Sequence, residues 1–151
     1  MNADVTTHDE LAGTTVVATV SGALALLVSG WVHFYLYFRG GYRGIAPDSV
    51  LGLTISRSFA LNAIVALVLA EVLVLGLRHR TLLLPAAALG IGFAVATLVA
   101  YFLSRTRGLL GFEEHSTTTE AVVAMVAEAA AIVALVPVAV TEWRARRRPA
   151  R

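Results

Sequence analysis

Four long apolar runs dominate the chain, and short polar or glycine-rich segments separate them. A helix needs roughly 20 apolar residues to cross the hydrocarbon core of a bilayer, and each run is that long. We therefore predict membrane spans at about residues 14–38, 55–77, 82–104 and 118–141. The expected fold is an all-α integral membrane four-helix bundle (residues 14–141) of up-down-up-down topology. Residues 1–13 form an N-terminal tail and residues 142–151 a basic C-terminal tail.

Small and polar residues recur at three- or four-residue steps within the runs, so they share one face of each helix. Such faces let neighbouring helices approach closely. The members of these stripes include Gly22, Ser29 and His33 in the first run, Gly90, Ala94 and Thr97 in the third, and Ala124, Ala127 and Ala131 in the fourth. The link between the second and third runs is so short that these two helices are expected to form an antiparallel hairpin.

The end of the first run is rich in aromatic residues. Trp31, Tyr35 and Tyr37 precede Arg39. Amphipathic rings prefer the boundary between lipid and water, and Arg39 marks the headgroups. The helix is expected to break at Gly40-Gly41.

The composition agrees with a bilayer environment. Hydrophobic residues make up 58% of the chain, charged residues 15%, and the mean hydropathy is +0.77. A soluble domain of 151 residues would need a more charged surface. The absence of cysteine excludes disulfides, thiolate catalysis and cysteine-ligated metal sites. We find no nucleic-acid-binding motif, so the lipid bilayer is the expected partner.

The distribution of arginine gives an expected orientation. All 12 basic residues are arginines, and in a four-span topology seven lie on the side of the termini and five on the other. Basic loops stay in the cytoplasm, so both termini are predicted to be cytoplasmic. Residues 1–13 contain no lysine or arginine, and the apolar run from Thr14 to Phe38 is too long for the core of a secretion signal, so we expect the N-terminal region to be retained.

Ionisable side chains inside spans are costly and therefore mark candidate functional positions. Four roles are open for His33. It could be a ligand of haem or a metal, a hydrogen-bond donor to a quinone, a proton carrier, or a neutral ring bonded to another span. Glu128 is either a protonated carboxyl that joins two helices or a transport or redox group, with His33, Arg57 or Arg105 as partner. Glu71 has a simpler explanation, because it lies on nearly the same face as Arg78 and can snorkel with it toward the headgroups.

Several of these groups are expected to share the outer half of the bundle, beneath a cap formed by the first and third connections. The predicted ligand-binding residues are His33, Asn62, Tyr101, Arg105, Glu120 and Glu128. A metal would be held by His33, His115 and Glu114. A haem held by two histidines needs them on facing spans, and only His33 lies inside a span. Thr117 and Glu120 have the spacing of a capping box, which places the start of the fourth helix near residue 118.

Four segments, HFYLYFRGGYRGI, SRSFALNAIVALV, AYFLSRTRGLLGFEE and TTEAVVA, give the chain a recognisable pattern. In these segments it resembles small four-span integral membrane proteins of GC-rich Gram-positive bacteria. The resemblance implies a multi-pass protein of the bacterial plasma membrane. It carries no established active site.

The sequence contains no catalytic motif that we recognise. The leading functional prediction is a non-enzymatic accessory or structural subunit of a homo-oligomer or of a complex with other membrane subunits. The alternative is a redox or ligand-binding module that holds haem, a quinone or a metal in a pocket near His33. A third possibility is a small channel or carrier that uses Glu128.

Overall fold

The computed structural model describes residues 3–45 and 48–147. They form four helices, α1 (Ala3–Phe38), α2 (Ile55–Arg78), α3 (Arg80–Thr106) and α4 (Thr119–Arg147). All four are long and apolar enough to cross a membrane, α1 from Gly13 onward. Many valine, leucine and phenylalanine side chains point out of the bundle, as a lipid-facing surface requires. The chain is thus a multi-pass membrane protein with an all-α fold, as predicted.

Each helix packs against two neighbours. α1 and α3 both lie against α2 and α4. α1 and α3 are diagonal to each other and make only a small contact. A single residue, His79, joins α2 to α3, so these two helices form the expected antiparallel hairpin. The connections α1–α2 and α3–α4 meet at one end of the bundle, where the Tyr42 hydroxyl donates to Glu114. We label this end outer and the opposite end inner, after the orientation predicted from the sequence. At the opposite end, Arg146 of α4 donates to the Thr81 carbonyl of α3. The topology is therefore up-down-up-down.

Glycine allows the helices to approach closely at the centre of the bundle. A Cβ added at Gly30 would lie 2.7 Å from the Cβ of Ala66, so α1 and α2 meet almost backbone to backbone there. Leu135 of α4 projects between α1 and α3, within 2.5 Å of a Cβ placed at Gly22 and 2.8 Å of one at Gly90. Most residues of the predicted small-residue faces of α1, α3 and α4 thus pack against other helices of the same chain.

The helix ends differ from the sequence expectation in three places. α1 already begins at Ala3, and α4 continues to Arg147, so part of each predicted tail is helical; residues 148–151 lie outside the described residues. The expected capping box is also wrong, because Thr118 rather than Thr117 accepts the hydrogen bond from the Ala121 amide. Thr117 instead accepts from Arg105.

The two connections at the outer end contain the same tight turn. Val50 pairs with Leu53, and Leu109 pairs with Phe112. In each turn a leucine and the following glycine have positive φ, with values of 53° and 77° at Leu51-Gly52 and 52° and 71° at Leu110-Gly111. Positive φ at both central positions is typical of a type I′ turn. These turns fold the connections back over the end of the bundle.

At the inner end, α4 is held to the hairpin by charged groups. Arg80 Nη1 lies 2.6 Å from Glu142 Oε1, and the Glu142 side chain is only 8% exposed. Arg147 stacks over the ring of Trp143, with 4.3 Å from Cζ to the ring centroid. The Arg80–Glu142 pair therefore joins α4 to α3 at this end, whereas the Arg147–Trp143 contact lies within α4. The largely apolar cavity lies toward the other end of the bundle.

Candidate ligand cavity

A cavity of about 390 Å³ lies in the outer half of the bundle. All four helices contribute to it, and the two outer connections close its end. Its wall is mostly apolar and includes three phenylalanine rings, Phe59, Phe93 and Phe112. Cavities of this size with an apolar wall and a few polar groups are typical of small-molecule sites.

The structure brings together part of the predicted site. Four of the six predicted ligand-binding residues line the cavity: His33, Asn62, Tyr101 and Glu128. Two of the three predicted metal ligands also line it, namely His33 again and Glu114. Arg105 and Glu120 lie outside the cavity lining. Arg105 is exposed and donates to the Thr117 hydroxyl at 2.9 Å, whereas Glu120 is half-buried in the first turn of α4.

The predicted metal set is not assembled. His115 is 83% exposed, and its Nε2 lies 3.8 Å from Glu113 Oε2 in the outer connection rather than near His33. Within the described ranges, no group of three or more histidine, aspartate or glutamate side chains is arranged to hold a metal ion.

His33 is held by its own helix. Its Nδ1 lies 2.9 Å from the Ser29 carbonyl oxygen, one turn earlier in α1. A carbonyl oxygen can only accept, so Nδ1 carries the proton and Nε2 of the neutral ring presents a lone pair. The ring packs against Phe59, with 5.2 Å between centroids. His33 thus bonds to its own helix rather than to another span, and in its neutral form the ring can only accept at Nε2. The other predicted roles, as a ligand of haem or a metal, a donor to a quinone or a proton carrier, stay predictions.

Glu128 is paired with a residue that sequence reasoning did not select. The Ser29 hydroxyl donates to Glu128 Oε1 at 2.9 Å, across the contact between α1 and α4. Glu128 is 1% exposed and Ser29 is fully buried. The expected basic partners lie elsewhere, because Arg57 donates to the Gly52 carbonyl and Arg105 to Thr117.

Asn62 has one satisfied and one unsatisfied group. Its Nδ2 donates to the Thr97 hydroxyl oxygen at 3.2 Å and so links α2 to α3. The Thr97 hydroxyl donates its proton to the Phe93 carbonyl at 2.9 Å, so the group facing it must be the amide nitrogen. This arrangement turns Oδ1 of Asn62 into a buried acceptor with no partner in the described part of the chain.

Tyr42 packs behind the cavity wall, against two of its phenylalanine rings. Its hydroxyl donates to Glu114 Oε2 at 2.6 Å, and its ring stacks on Phe59 with 4.3 Å between centroids. Phe112 meets the same ring edge-on at 5.6 Å. Burial, together with the hydrogen bond to Glu114, raises the pKa of Tyr42. This contact joins the first and third connections into the expected cap, although Tyr42 itself was not among the predicted site residues.

Glu71 lies apart from this site. It faces outward beside Arg78 in a separate groove between α1 and α2, whose wall includes Leu24, Leu27 and Val74. Glu71 and Arg78 therefore share a surface, as their spacing predicted. Asn62 and Glu71 do not contribute to one site.

Comparison of the chain with protein-family models, with curated proteins and with solved structures finds no match. The chemistry of the cavity therefore has to follow from the residues that form it.

Proposed function

We propose that the protein is a membrane-embedded binding module for a small lipid-soluble molecule, which it holds in the cavity beside His33. One observation carries this proposal, namely the cavity of about 390 Å³ with a mostly apolar wall to which all four helices contribute, His33 among the lining residues. Its size lies in the range of small-molecule sites in proteins.

The cavity wall supports the same function. Phe59, Phe93 and Phe112 offer aromatic surfaces to a flat ligand, and the polar groups are few and lie on different helices. This combination orients a ligand while most of the binding free energy comes from apolar contact. The proposal requires no catalytic step. Of the ligand classes predicted from the sequence, haem and a quinone are lipid-soluble molecules, whereas the predicted metal set is not assembled in the described part of the chain.

Native purification tests the proposal. The full chain is isolated in mild detergent, its absorption spectrum and metal content are recorded, and bound small molecules are extracted and identified by mass spectrometry. We expect one lipid-soluble compound in near-equimolar amount. Ala121→Phe, which fills the cavity, is expected to lose it, whereas the matched variant Ala129→Phe on the outward face of α4 keeps it.

Two results would contradict this function. One is a wild-type protein that carries no compound and binds none when it is offered lipid extracts. The other is a compound retained equally by Ala121→Phe and Ala129→Phe.

An accessory subunit of a larger membrane complex is the second candidate. It is favoured by the lipid-facing side of α3, where Ala88 and Gly92 are exposed and no atom of another helix lies within 4 Å of a Cβ placed at Gly92. A small-residue surface that packs against nothing in its own chain suits a neighbouring helix. A strict monomer without a co-purifying subunit in mild detergent would count against this role.

Two further assignments rest on the sequence alone. We infer that the protein resides in the plasma membrane of a bacterium with both termini cytoplasmic, on the basis of the arginine distribution and the resemblance described above. The use of Glu128 by a channel or carrier stays a prediction. Ion flux into liposomes that is unchanged by Glu128→Gln would contradict it.

A further inference from the structure

The charged groups in the wall of the cavity are acidic. Glu114 and Glu128 line it, and within the described ranges the lining contains no arginine, while the whole chain contains no lysine. The other titratable side chains of the wall are His33 and Tyr101, and α2 contributes none. His33 has its Nδ1 bonded to the Ser29 carbonyl. A molecule in this cavity therefore meets two carboxyl groups and no permanently positive side chain.

The carboxyl group of Glu114 is already satisfied at both oxygens. Its Oε2 accepts from the Tyr42 hydroxyl at 2.6 Å, and its Oε1 accepts from the amide and the hydroxyl of Ser116, each at 3.1 Å. Buried polar groups are normally paired in this way, so Glu114 needs no ligand.

Glu128 lies deeper in the bundle and has a single hydrogen bond. Its Oε1 accepts from the Ser29 hydroxyl at 2.9 Å, and its Oε2 has no hydrogen-bond partner among the described residues. Oε2 nevertheless retains accessible surface, because the unpartnered side-chain atom that is fully enclosed in this part of the chain is Asn62 Oδ1. Since Glu128 lines the cavity, this oxygen is the carboxyl atom that a bound molecule can reach.

No basic side chain in the described part of the chain pairs with Glu128. The ion pairs there join Arg80 to Glu142 and His115 to Glu113. A carboxyl group in an apolar environment either keeps its proton or requires a cation beside it. A bound cation can take the place of that proton, which leaves to the solvent, and so supplies the positive charge that the protein does not provide.

The rest of the wall suits a cation with apolar substituents. Four aromatic side chains line the cavity, namely Phe59, Phe93, Tyr101 and Phe112. The face of an aromatic ring attracts a cation, and the attraction is stronger away from water. A metal ion is a poorer fit, because hard cations need several oxygen ligands and no such group is assembled within the described ranges.

We infer that the cavity binds a lipophilic organic cation of the aromatic ammonium class. The charged nitrogen lies against the carboxylate of Glu128, and the apolar part lies among the phenylalanine rings of the wall. This inference rests on the proposed binding function and names the chemical class of its ligand.

Three probes of nearly the same shape separate charge from fit. Benzyltrimethylammonium is a cation, neopentylbenzene has carbon in place of the nitrogen and is neutral, and phenylmethanesulfonate is an anion. The equilibrium binding of each probe to the full-length protein is measured in nanodiscs of a zwitterionic lipid, and empty nanodiscs correct for partition into lipid. A close charge pair away from water changes affinity by about tenfold or more. We therefore expect the wild type to bind the cation at least about tenfold more tightly than the anion.

Matched variants locate the interaction. Glu128→Gln keeps the volume and an acceptor for the Ser29 hydroxyl but removes the charge, so we expect it to weaken cation binding about tenfold and to leave neopentylbenzene unchanged. Glu71→Gln removes a carboxyl from the separate groove between α1 and α2 and should bind like the wild type. Phe93→Leu should lower the ratio of cation to neutral affinity about threefold, whereas Phe102→Leu on the exposed side of α3 should keep it.

The outcomes distinguish the inference from the proposed function. If the wild type binds none of the three probes, the binding function fails and the inference fails with it. If neopentylbenzene binds but the cation does not, or if the anion binds as tightly as the cation, the binding function stands and the inference is overturned. A cation affinity that Glu128→Gln lowers no more than Glu71→Gln also overturns it. The comparison of cation and anion uses the wild type alone and therefore decides the question even where a variant fails to fold.

Discussion

Ser29 connects the two ionisable residues that lie deepest in the outer half of the bundle. The Ser29 carbonyl oxygen accepts a hydrogen bond from Nδ1 of His33, and the Ser29 hydroxyl donates one to Glu128. One residue therefore fixes the orientation of the imidazole on α1 and holds the carboxyl of α4. Serine is small enough to be fully buried at this contact and still supplies both groups.

The bond between Ser29 and Glu128 gives the first prediction. Ser29→Ala removes the donor and leaves a buried carboxyl oxygen unpaired, so we expect a loss of about 1 kcal/mol in the free energy of unfolding, as for other hydrogen bonds between membrane helices. The measurement is denaturant unfolding of the purified protein in mixed micelles. Ser21→Ala on the exposed side of the same helix is the control. Equal stability of the two variants would show that this bond contributes nothing.

Tyr42 gives a prediction about pH. Its pKa in the folded protein is raised by burial and by Glu114, whereas an unfolded tyrosine ionises near pH ~10. Above that pH the unfolded chain loses this proton first, so the stabilising contribution of Tyr42 is complete below pH ~10 and falls as the pH rises further. The chain contains no lysine, which removes one of the competing titrations of the alkaline range.

The test is the unfolding free energy between neutral pH and pH ~11 for the wild type and Tyr42→Phe. We expect a steeper alkaline loss of stability in the wild type. Tyr35→Phe, on the exposed side of α1, should behave like the wild type. Parallel curves for the wild type and Tyr42→Phe would contradict the buried, hydrogen-bonded state of this phenol.

At the scale of helices, two glycines that both lie within apolar runs of the sequence have different environments in the structure. Gly30 faces Ala66 of α2 with no room for a methyl group, whereas Gly92 on α3 faces open space. The alanine Cβ at position 66 cannot rotate away, so relief of the clash requires the two backbones to separate. The glycine at position 30 thus sets the distance between α1 and α2, near Ser29 and His33.

Replacement of these two glycines by alanine should have opposite effects. Gly30→Ala is expected to lower the free energy of unfolding by about 1–3 kcal/mol through overpacking. Gly92→Ala should leave it unchanged or raise it by up to about 1 kcal/mol, because alanine favours the helix. Unfolding in mixed micelles measures both. A Gly30→Ala protein as stable as the wild type would show that α1 and α2 have room to separate.

At the scale of the whole molecule, hydropathy predicts the four helices because a bilayer requires long apolar segments whose backbone groups are satisfied within each helix. Depth along each helix also follows from residue number, which is why His33, Asn62 and Tyr101 could be assigned to one half of the bundle and Glu128 to the middle of its span. The rotation of each helix about its own axis is harder to predict. Successive residues are turned by 100°, and the sequence does not indicate which face of a helix its neighbour contacts. Arg105 and Glu120 were chosen by depth, and they lie outside the cavity lining.

The remaining site residues were missed for physical reasons that differ. Ser29 shares a face with His33, so its position was visible in the sequence, but its contact with Glu128 depends on how α4 is rotated against α1. Tyr42 lies between glycines in a connection that has no hydrophobic periodicity, so the sequence does not indicate which way its side chain points. The contact between Tyr42 and Glu114 exists only because both connections fold back over the same end of the bundle.

The orientation of the molecule in the membrane can be tested because the chain has no cysteine. The connections that contain Ser49 and Ser116 lie at the cavity end of the bundle, and Ala145 lies in the last turn of α4 at the other end. Single substitutions Ser49→Cys, Ser116→Cys and Ala145→Cys therefore report the two sides without background. All three positions are exposed. With the termini in the cytoplasm, a membrane-impermeant maleimide should label the first two in intact cells and Ala145→Cys only after the membrane is permeabilised. The reverse pattern would invert the orientation and place the cavity in the cytoplasmic half, whereas labelling of all three from one side would contradict four spans.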